Sequence, residues 1–151
     1  MKKIISIILT IVMLSAVVMT IPFSAFAVEA ADAVASIGTD YYETLDAAID
    51  AAQDGDVIVL LKDMTATAKD IVGKKITIKG EGTTKPVITA GSGKGAFWVR
   101  GDVTFENIAF QGFAGKNVII YGTQDAADTN NYKLTINNCE FEFSASGAIY
   151  G

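Results

Sequence analysis

The sequence predicts an all-β solenoid, a parallel β-helix that begins with a short capping α-helix. Three observations support this fold class. A short amphipathic helical pattern runs directly into an apolar, β-branched strand, short strands separated by turn residues fill the rest of the chain, and these strands recur in one order. Internal repetition at intervals of about 20 to 50 residues is typical of solenoids and arrays. Because no helical pattern separates the recurring strands, the repeat indicates a β-solenoid.

The chain begins with a predicted secretory signal peptide over residues 1–27. Lys2 and Lys3 precede an apolar run over residues 4–21, and a small-x-small motif ends at Ala27. This arrangement predicts cleavage after Ala27 and a secreted or cell-surface product. The apolar run is close to the length that spans a bilayer, so an uncleaved anchor is the competing interpretation. Contact with a membrane is expected only through this segment.

The composition of the remaining 124 residues excludes several function classes. Only Lys2 and Lys3 are lost with residues 1–27, which leaves ten basic and 17 acidic residues and a net charge of −7. A nucleic-acid partner is therefore not expected, since phosphate binding needs a basic face. Cys139 is the only cysteine and the sequence contains no histidine. An intrachain disulfide, a Ser-His-Asp centre and a histidine zinc site are thus excluded.

A short helix is predicted over about residues 44–53, after a leader segment at residues 28–37 and within a domain at residues 38–151. Thr44 is a suitable N-cap, and Gly55 follows the last helical residue. Four apolar residues share one face of this helix: Leu45, Ala48, Ile49 and Ala52. A helix of this length has little stability alone, so we expect it to cover the first coil of the solenoid as a cap. The apolar run after Gly55 would be the first strand of that coil.

The repeat is clearest in three segments: "ITIKG" (76–80), "VTFEN" (103–107) and "LTINN" (134–138). They start 27 and 31 residues apart, and each is followed by a second alternating strand and by a third strand that ends in glycine. We therefore predict three to four coils in which equivalent strands pair in parallel. An antiparallel sandwich is the alternative, although it does not require the same order of strands to recur.

Parallel stacking predicts which residues become neighbours. Ile76, Val103 and Leu134 form one expected inward column, and the threonine after each of them is expected to point outward. Asn107 and Asn138 fall at a corner, where asparagine tolerates a left-handed backbone and its amide can bond to the same amide one repeat away.

Several segments resemble a known family: "YYETLDAAIDAAQDGDVIVLLKDMTAT", "KKITIKGEG" and "VTFENIAFQG" look like the entry to a right-handed parallel β-helix of the pectin-lyase-like group. The stretch from "IGTDYYETLD" to "VIVLLKD" is similar to modules of secreted and surface proteins of Gram-positive bacteria. The resemblance covers residues 37–151. Members of the group that cleave acidic polysaccharides use clustered or paired aspartates, often with calcium and a nearby Arg or Lys. This chain has no adjacent Asp pair, and its only arginine, Arg100, adjoins only Asp102, so the resemblance transfers no catalytic residue.

The candidate ligand-binding residues lie in the third strands of the repeat: Trp98, Arg100, Tyr121 and Tyr150. If Val99 and Ile120 point inward, these four side chains share the outer face. Exposed aromatic rings can stack on sugar rings, and guanidinium and phenol groups can bond to sugar oxygens. The alternative is that these side chains only cover each other and their strands, as cross-strand pairs do in any sheet.

The loop "TQDAADTNN" offers oxygen donors that suit calcium, namely Asp125, Asp128, Asn130 and Asn131. It lacks the spacing of an EF-hand loop, and a solvated loop is the alternative interpretation. No other cofactor is predicted.

The predicted function is that of a secreted or cell-surface, non-catalytic β-helix module for adhesion, carbohydrate contact or display, with a polysaccharide or cell-surface glycan as partner. One alternative is the N-terminal fragment of a polysaccharide lyase or glycoside hydrolase whose catalytic residues lie beyond residue 151. Another is a structural spacer without a ligand. The last repeat ends at Gly151 without a polar cap, so we expect either a longer protein or self-association through the uncapped C-terminal coil.

Overall fold

The structure, a computed structural model, describes residues 28–92, 95–114, 117–122, 129–142 and 148–150. In these ranges the chain forms one helix, α1 (Leu45–Ala51), and twelve strands. The strands are β1 (Ala35–Ile37), β2 (Asp40–Tyr42), β3 (Val57–Leu60), β4 (Met64–Thr65), β5 (Lys69–Gly80), β6 (Val87–Thr89), β7 (Phe97–Glu106), β8 (Ala109–Gln111), β9 (Ile119–Tyr121), β10 (Leu134–Asn137), β11 (Glu140–Phe141) and β12 (Ile149–Tyr150).

The predicted fold class, an all-β solenoid in the form of a right-handed parallel β-helix, is wrong. The described strands form two sheets and no closed coil: a mixed sheet of eight strands in the order β12-β9-β7-β5-β3-β1-β2, with β10 also paired to β7, and a parallel sheet in the order β11-β8-β6-β4. The larger sheet is mixed because β1 pairs antiparallel with both β2 and β3. The chain reverses at Gly38, which has a φ of +57°, so β1 and β2 form a hairpin at the edge of the sheet.

The helix itself agrees with the sequence prediction, although it is shorter. Thr44 is its N-cap, and the Thr44 hydroxyl oxygen accepts a hydrogen bond of 3.1 Å from the backbone N–H of Ala47. Leu45, Ala48 and Ile49 are buried, and the helix contacts β1, β2 and β3. The helix therefore packs on the mixed end of the larger sheet, where the antiparallel hairpin also lies.

The parallel register of the repeated strands is as the sequence predicts. Ile76 pairs with Val103, and Val103 with Leu134. The side chains of β7 alternate in burial along its whole length, and its odd-numbered residues from Phe97 to Phe105 are buried. We call this buried side the inner face of the larger sheet and the opposite side its outer face.

The hydrophobic core lies between the inner face of the larger sheet and the smaller sheet. Phe105 from β7 and Phe110 from β8 meet edge to face, with ring centroids 6.1 Å apart. Phe110 also stacks on Phe141 of the neighbouring strand at 5.0 Å, and Phe97 contacts Phe105 at 5.0 Å. Aromatic pairs of this kind contribute stability beyond the apolar area that they bury. The two sheets are thus joined by one cluster of phenylalanine rings.

The predicted asparagine corner is confirmed. Asn107 and Asn138 have φ values of +56° and +49°, in the left-handed region. The side-chain amide of Asn138 donates a hydrogen bond of 3.0 Å to the side-chain oxygen of Asn107. Asn107 in turn donates from its amide to the backbone oxygen of Gly82, at 3.0 Å.

Residues 1–27, which carry the predicted signal peptide, lie outside the described residues. Within the ranges that the structure describes, no helix has the length and apolar character needed to cross a membrane.

Candidate functional site

Three side chains form a row across neighbouring strands on the outer face of the larger sheet. Trp98 of β7 pairs in register with Ile120 of β9, and Ile120 pairs with Tyr150 of β12. Trp98 is 46% exposed and Tyr150 is 56% exposed, while Ile120 between them is half-buried. We call these three residues the aromatic strip.

The alternation of β7 explains why Trp98 faces solvent. Its neighbours Phe97 and Val99 are both buried in the core, so the side chain between them must point to the other side of the sheet. Adjacent strands lie roughly 4.8 Å apart, which places Trp98 and Tyr150 roughly 10 Å apart along the strip, with Ile120 as an apolar floor between the two rings.

An ion pair borders the aromatic strip. Asp70 of β5 pairs in register with Trp98, and Arg100 lies two residues beyond Trp98 on the same face. The Arg100 guanidinium binds the Asp70 carboxylate through two nitrogens, and its Nε lies 3.3 Å from the Asp70 Oδ1. The sequence suggested Asp102 as the carboxylate beside Arg100, but the guanidinium pairs with Asp70 of the neighbouring strand. The ion pair therefore lies on the same face of the sheet as Trp98.

Tyr121 does not belong to this surface. It pairs in register with Val99, an inner-face residue, and it packs against the hydrophobic core. Its hydroxyl donates a hydrogen bond to the backbone oxygen of Tyr132. The expectation that Tyr121 lies on the outer face is therefore wrong. Of the four candidate residues, the structure brings together Trp98, Arg100 and Tyr150.

Calcium binding by the loop at residues 123–131 stays a prediction. Asp125 and Asp128 lie outside the described residues, and Asn130 and Asn131 are exposed. Within the ranges that the structure describes, no three His, Cys, Asp or Glu residues form a group that could hold a metal ion.

The outer face also has a polar part that was not predicted, farther along β5, β7 and β10. Two grooves lie there. One has a volume of about 420 Å³ and is lined by residues including Thr77, Thr104 and Thr135. The other has a volume of about 840 Å³ and is lined by residues including Lys79 and Glu106. The repeat predicts the outward threonines, but it contains no signal for the grooves that form over them.

Cys139 has the character of a core residue. It is half-buried and packs against the hydrophobic core. Burial raises the pKa of the Cys139 thiol above its usual value, and hydrogen bonding with the backbone of Ile108 and Asn137 opposes this effect only in part. The thiol is therefore poorly suited to nucleophilic chemistry at neutral pH.

Comparisons with known proteins identify no relative of this chain. No family model matches it, and no curated protein or solved structure does either. The similarity to secreted and surface proteins of Gram-positive bacteria stays a prediction from the segments quoted above.

Proposed function

We propose that the chain is a secreted or cell-surface module that contacts carbohydrate without catalysing a reaction, and that the aromatic strip is its contact surface. Adhesion to a glycan or display at the surface would both use such a contact. Export is proposed from the basic start, apolar run and small-x-small motif of residues 1–27.

The observation that carries this proposal is the exposure of Trp98 in register with Ile120 and Tyr150. A tryptophan is costly to leave in solvent, since its large apolar ring gains free energy when it is covered. The flat C–H face of a sugar ring is a suitable cover. Two such rings separated by two strand spacings offer stacking positions along an extended sugar chain.

The Arg100–Asp70 ion pair adds polar groups beside the rings. Guanidinium N–H groups and carboxylate oxygens are groups that hydrogen-bond to sugar hydroxyls, and this pair places both kinds on the same face as Trp98.

The fluorescence of Trp98 provides a direct test, since the chain contains a single tryptophan. The full chain, expressed with its own N-terminal segment, is titrated with galactomannan, xyloglucan and polygalacturonate. We expect at least one of these polysaccharides to shift the emission of Trp98 to shorter wavelength, because a stacked sugar excludes water from the indole ring.

Variants assign the contact to the aromatic strip. In native gels that contain the bound polysaccharide, W98A and Y150A should each weaken binding about tenfold, which corresponds to about 1.4 kcal/mol. Tyr41 is the matched control, because it is 39% exposed but lies in the edge hairpin. Y41A should bind like the parent. Equal binding by W98A and the parent would contradict the proposal.

A further inference from the structure

The outer face of the larger sheet carries a second array of side chains, separate from the aromatic strip. It has two rows that cross β5, β7 and β10 in register. We call this array the polar face. Its threonine row comprises Thr77, Thr104 and Thr135. Its second row comprises Lys79, Glu106 and the neutral Asn137, and we call it the charged row after its first two residues.

Within the described part of the chain, the six side chains of this face make no hydrogen bond or ion pair with their neighbours. The smaller sheet shows the contrast. There Thr65 and Thr89 are also in register, but their hydroxyl oxygens lie 3.3 Å apart, and Thr89 also donates to the backbone oxygen of Met64. Threonine hydroxyls in register can therefore bond to each other in this protein, whereas those of the polar face make no such bond to the residues that the structure describes.

The two grooves over the polar face are balanced in charge. The larger one, of about 840 Å³, covers the charged row and the turn that follows β5. The smaller one, of about 420 Å³, covers the threonine row. Together their walls contain three lysines and four carboxylates: Lys75, Lys79 and Lys133, and Asp56, Glu81, Asp102 and Glu106. A polyanion or a polycation would meet like charges in such a groove, whereas a neutral ligand with many hydroxyl groups would not.

We infer that the polar face binds a chain of neutral sugar units that runs across the strands. This inference rests on the proposed function, because it assumes that the protein contacts carbohydrate. Each strand contributes one hydroxyl from the threonine row and one amide, ammonium or carboxylate group from the charged row. The rows repeat at the strand spacing of about 4.8 Å, so successive sugar units meet equivalent partners. The sugar hydroxyls both donate and accept hydrogen bonds and match this mixture of groups.

The experiment compares two sets of hydroxyl deletions in the full chain. T77V/T104V/T135V removes the hydroxyls of the polar face, and T65V/T89V removes the matched pair on the smaller sheet. Threonine and valine are similar in shape, and circular dichroism establishes that each variant is folded. Binding is measured in native gels that contain galactomannan, xyloglucan or polygalacturonate, with W98A alongside.

We expect T77V/T104V/T135V to weaken binding to a neutral polysaccharide about tenfold or more, and T65V/T89V to bind like the parent. Parental binding by T77V/T104V/T135V would overturn the inference, and the proposed function would still stand if W98A had lost binding. Binding to polygalacturonate alone would also overturn it. If no polysaccharide retarded the parent, the inference and the proposed function would both fall.

Discussion

Asn138 donates a hydrogen bond from its side-chain amide to the side-chain oxygen of Asn107, 31 residues earlier in the chain, over a distance of 3.0 Å. Both residues have positive φ values, which most side chains disfavour. Each asparagine therefore does two things at this corner: it accepts a left-handed backbone, and it links one strand of the larger sheet to the next.

Substitution of Asn107 separates these two contributions. N107A should lower the free energy of unfolding by about 2 kcal/mol, because alanine loses the side-chain hydrogen bonds and is strained at a positive φ. N107G should cost only about 1 kcal/mol, because glycine tolerates the backbone and loses only the hydrogen bonds. Urea unfolding measures both values, with the exposed Asn131 replaced by alanine as control. Equal losses in N107A and N107G would show that the backbone conformation contributes nothing.

Gly101 lies where two strands approach closely. A Cβ atom at this position would overlap the backbone oxygen of Lys74, and a backbone atom of a paired strand cannot move aside as a side chain can. G101A should therefore destabilise the protein by about 3 kcal/mol. Gly73 provides the comparison, because it has a φ of +65° but open space around its Cα. G73A should cost about 1 kcal/mol from backbone strain alone. A smaller loss in G101A than in G73A by thermal or urea unfolding would contradict the close approach.

The Arg100–Asp70 ion pair should contribute little to stability. Both side chains are more than a third exposed, so water and salt screen their attraction. A double-mutant cycle with R100Q and D70N should give a coupling energy below about 1 kcal/mol, which decreases further in 1 M salt. A coupling of several kcal/mol that persists in salt would show that the pair is desolvated in solution.

Cys139 should react slowly with alkylating reagents. Burial raises its pKa, so less of the thiol is present as thiolate at neutral pH than in an unfolded chain. Iodoacetamide should modify the folded protein more slowly than the urea-unfolded protein at pH 7 to 8, a range that lies below the usual thiol pKa of about 8.5. Mass spectrometry follows the reaction. Equal rates in the two states would mean that the fold neither shields the thiol nor raises its pKa.

Local features of the fold could be predicted from the sequence, but the arrangement of the sheets could not. Thr44 and the apolar face after it identified the helix, and the recurring "apolar, Thr, apolar" pattern identified the register of β5, β7 and β10. The antiparallel pairing of β1 was missed because Ala35–Ile37 is only three residues long and has no clear alternation. A strand this short is specified by its partners in the sheet rather than by its own residues.

Only part of the candidate site was predicted, because the predicted register of the third strands is off by one residue. The third strands of the repeat were aligned at the glycines that end them, which paired Val99 with Ile120. In the structure Val99 pairs with Tyr121, one residue later. Since side chains alternate along a strand, a shift of one residue moves every side chain to the other face. This shift placed Tyr121 outside and left Ile120 out of the aromatic strip. The grooves of the polar face depend on turns beside the sheet and have no local sequence signal.

The unequal spacing of the repeated strands also matters for engineering. Val103 follows Ile76 by 27 residues and Leu134 follows Val103 by 31, yet all three remain in parallel register. Four additional residues between strands are thus accommodated without a change in either face of the sheet. A peptide of about this length inserted into a segment that joins two of these strands should therefore leave their pairing in place.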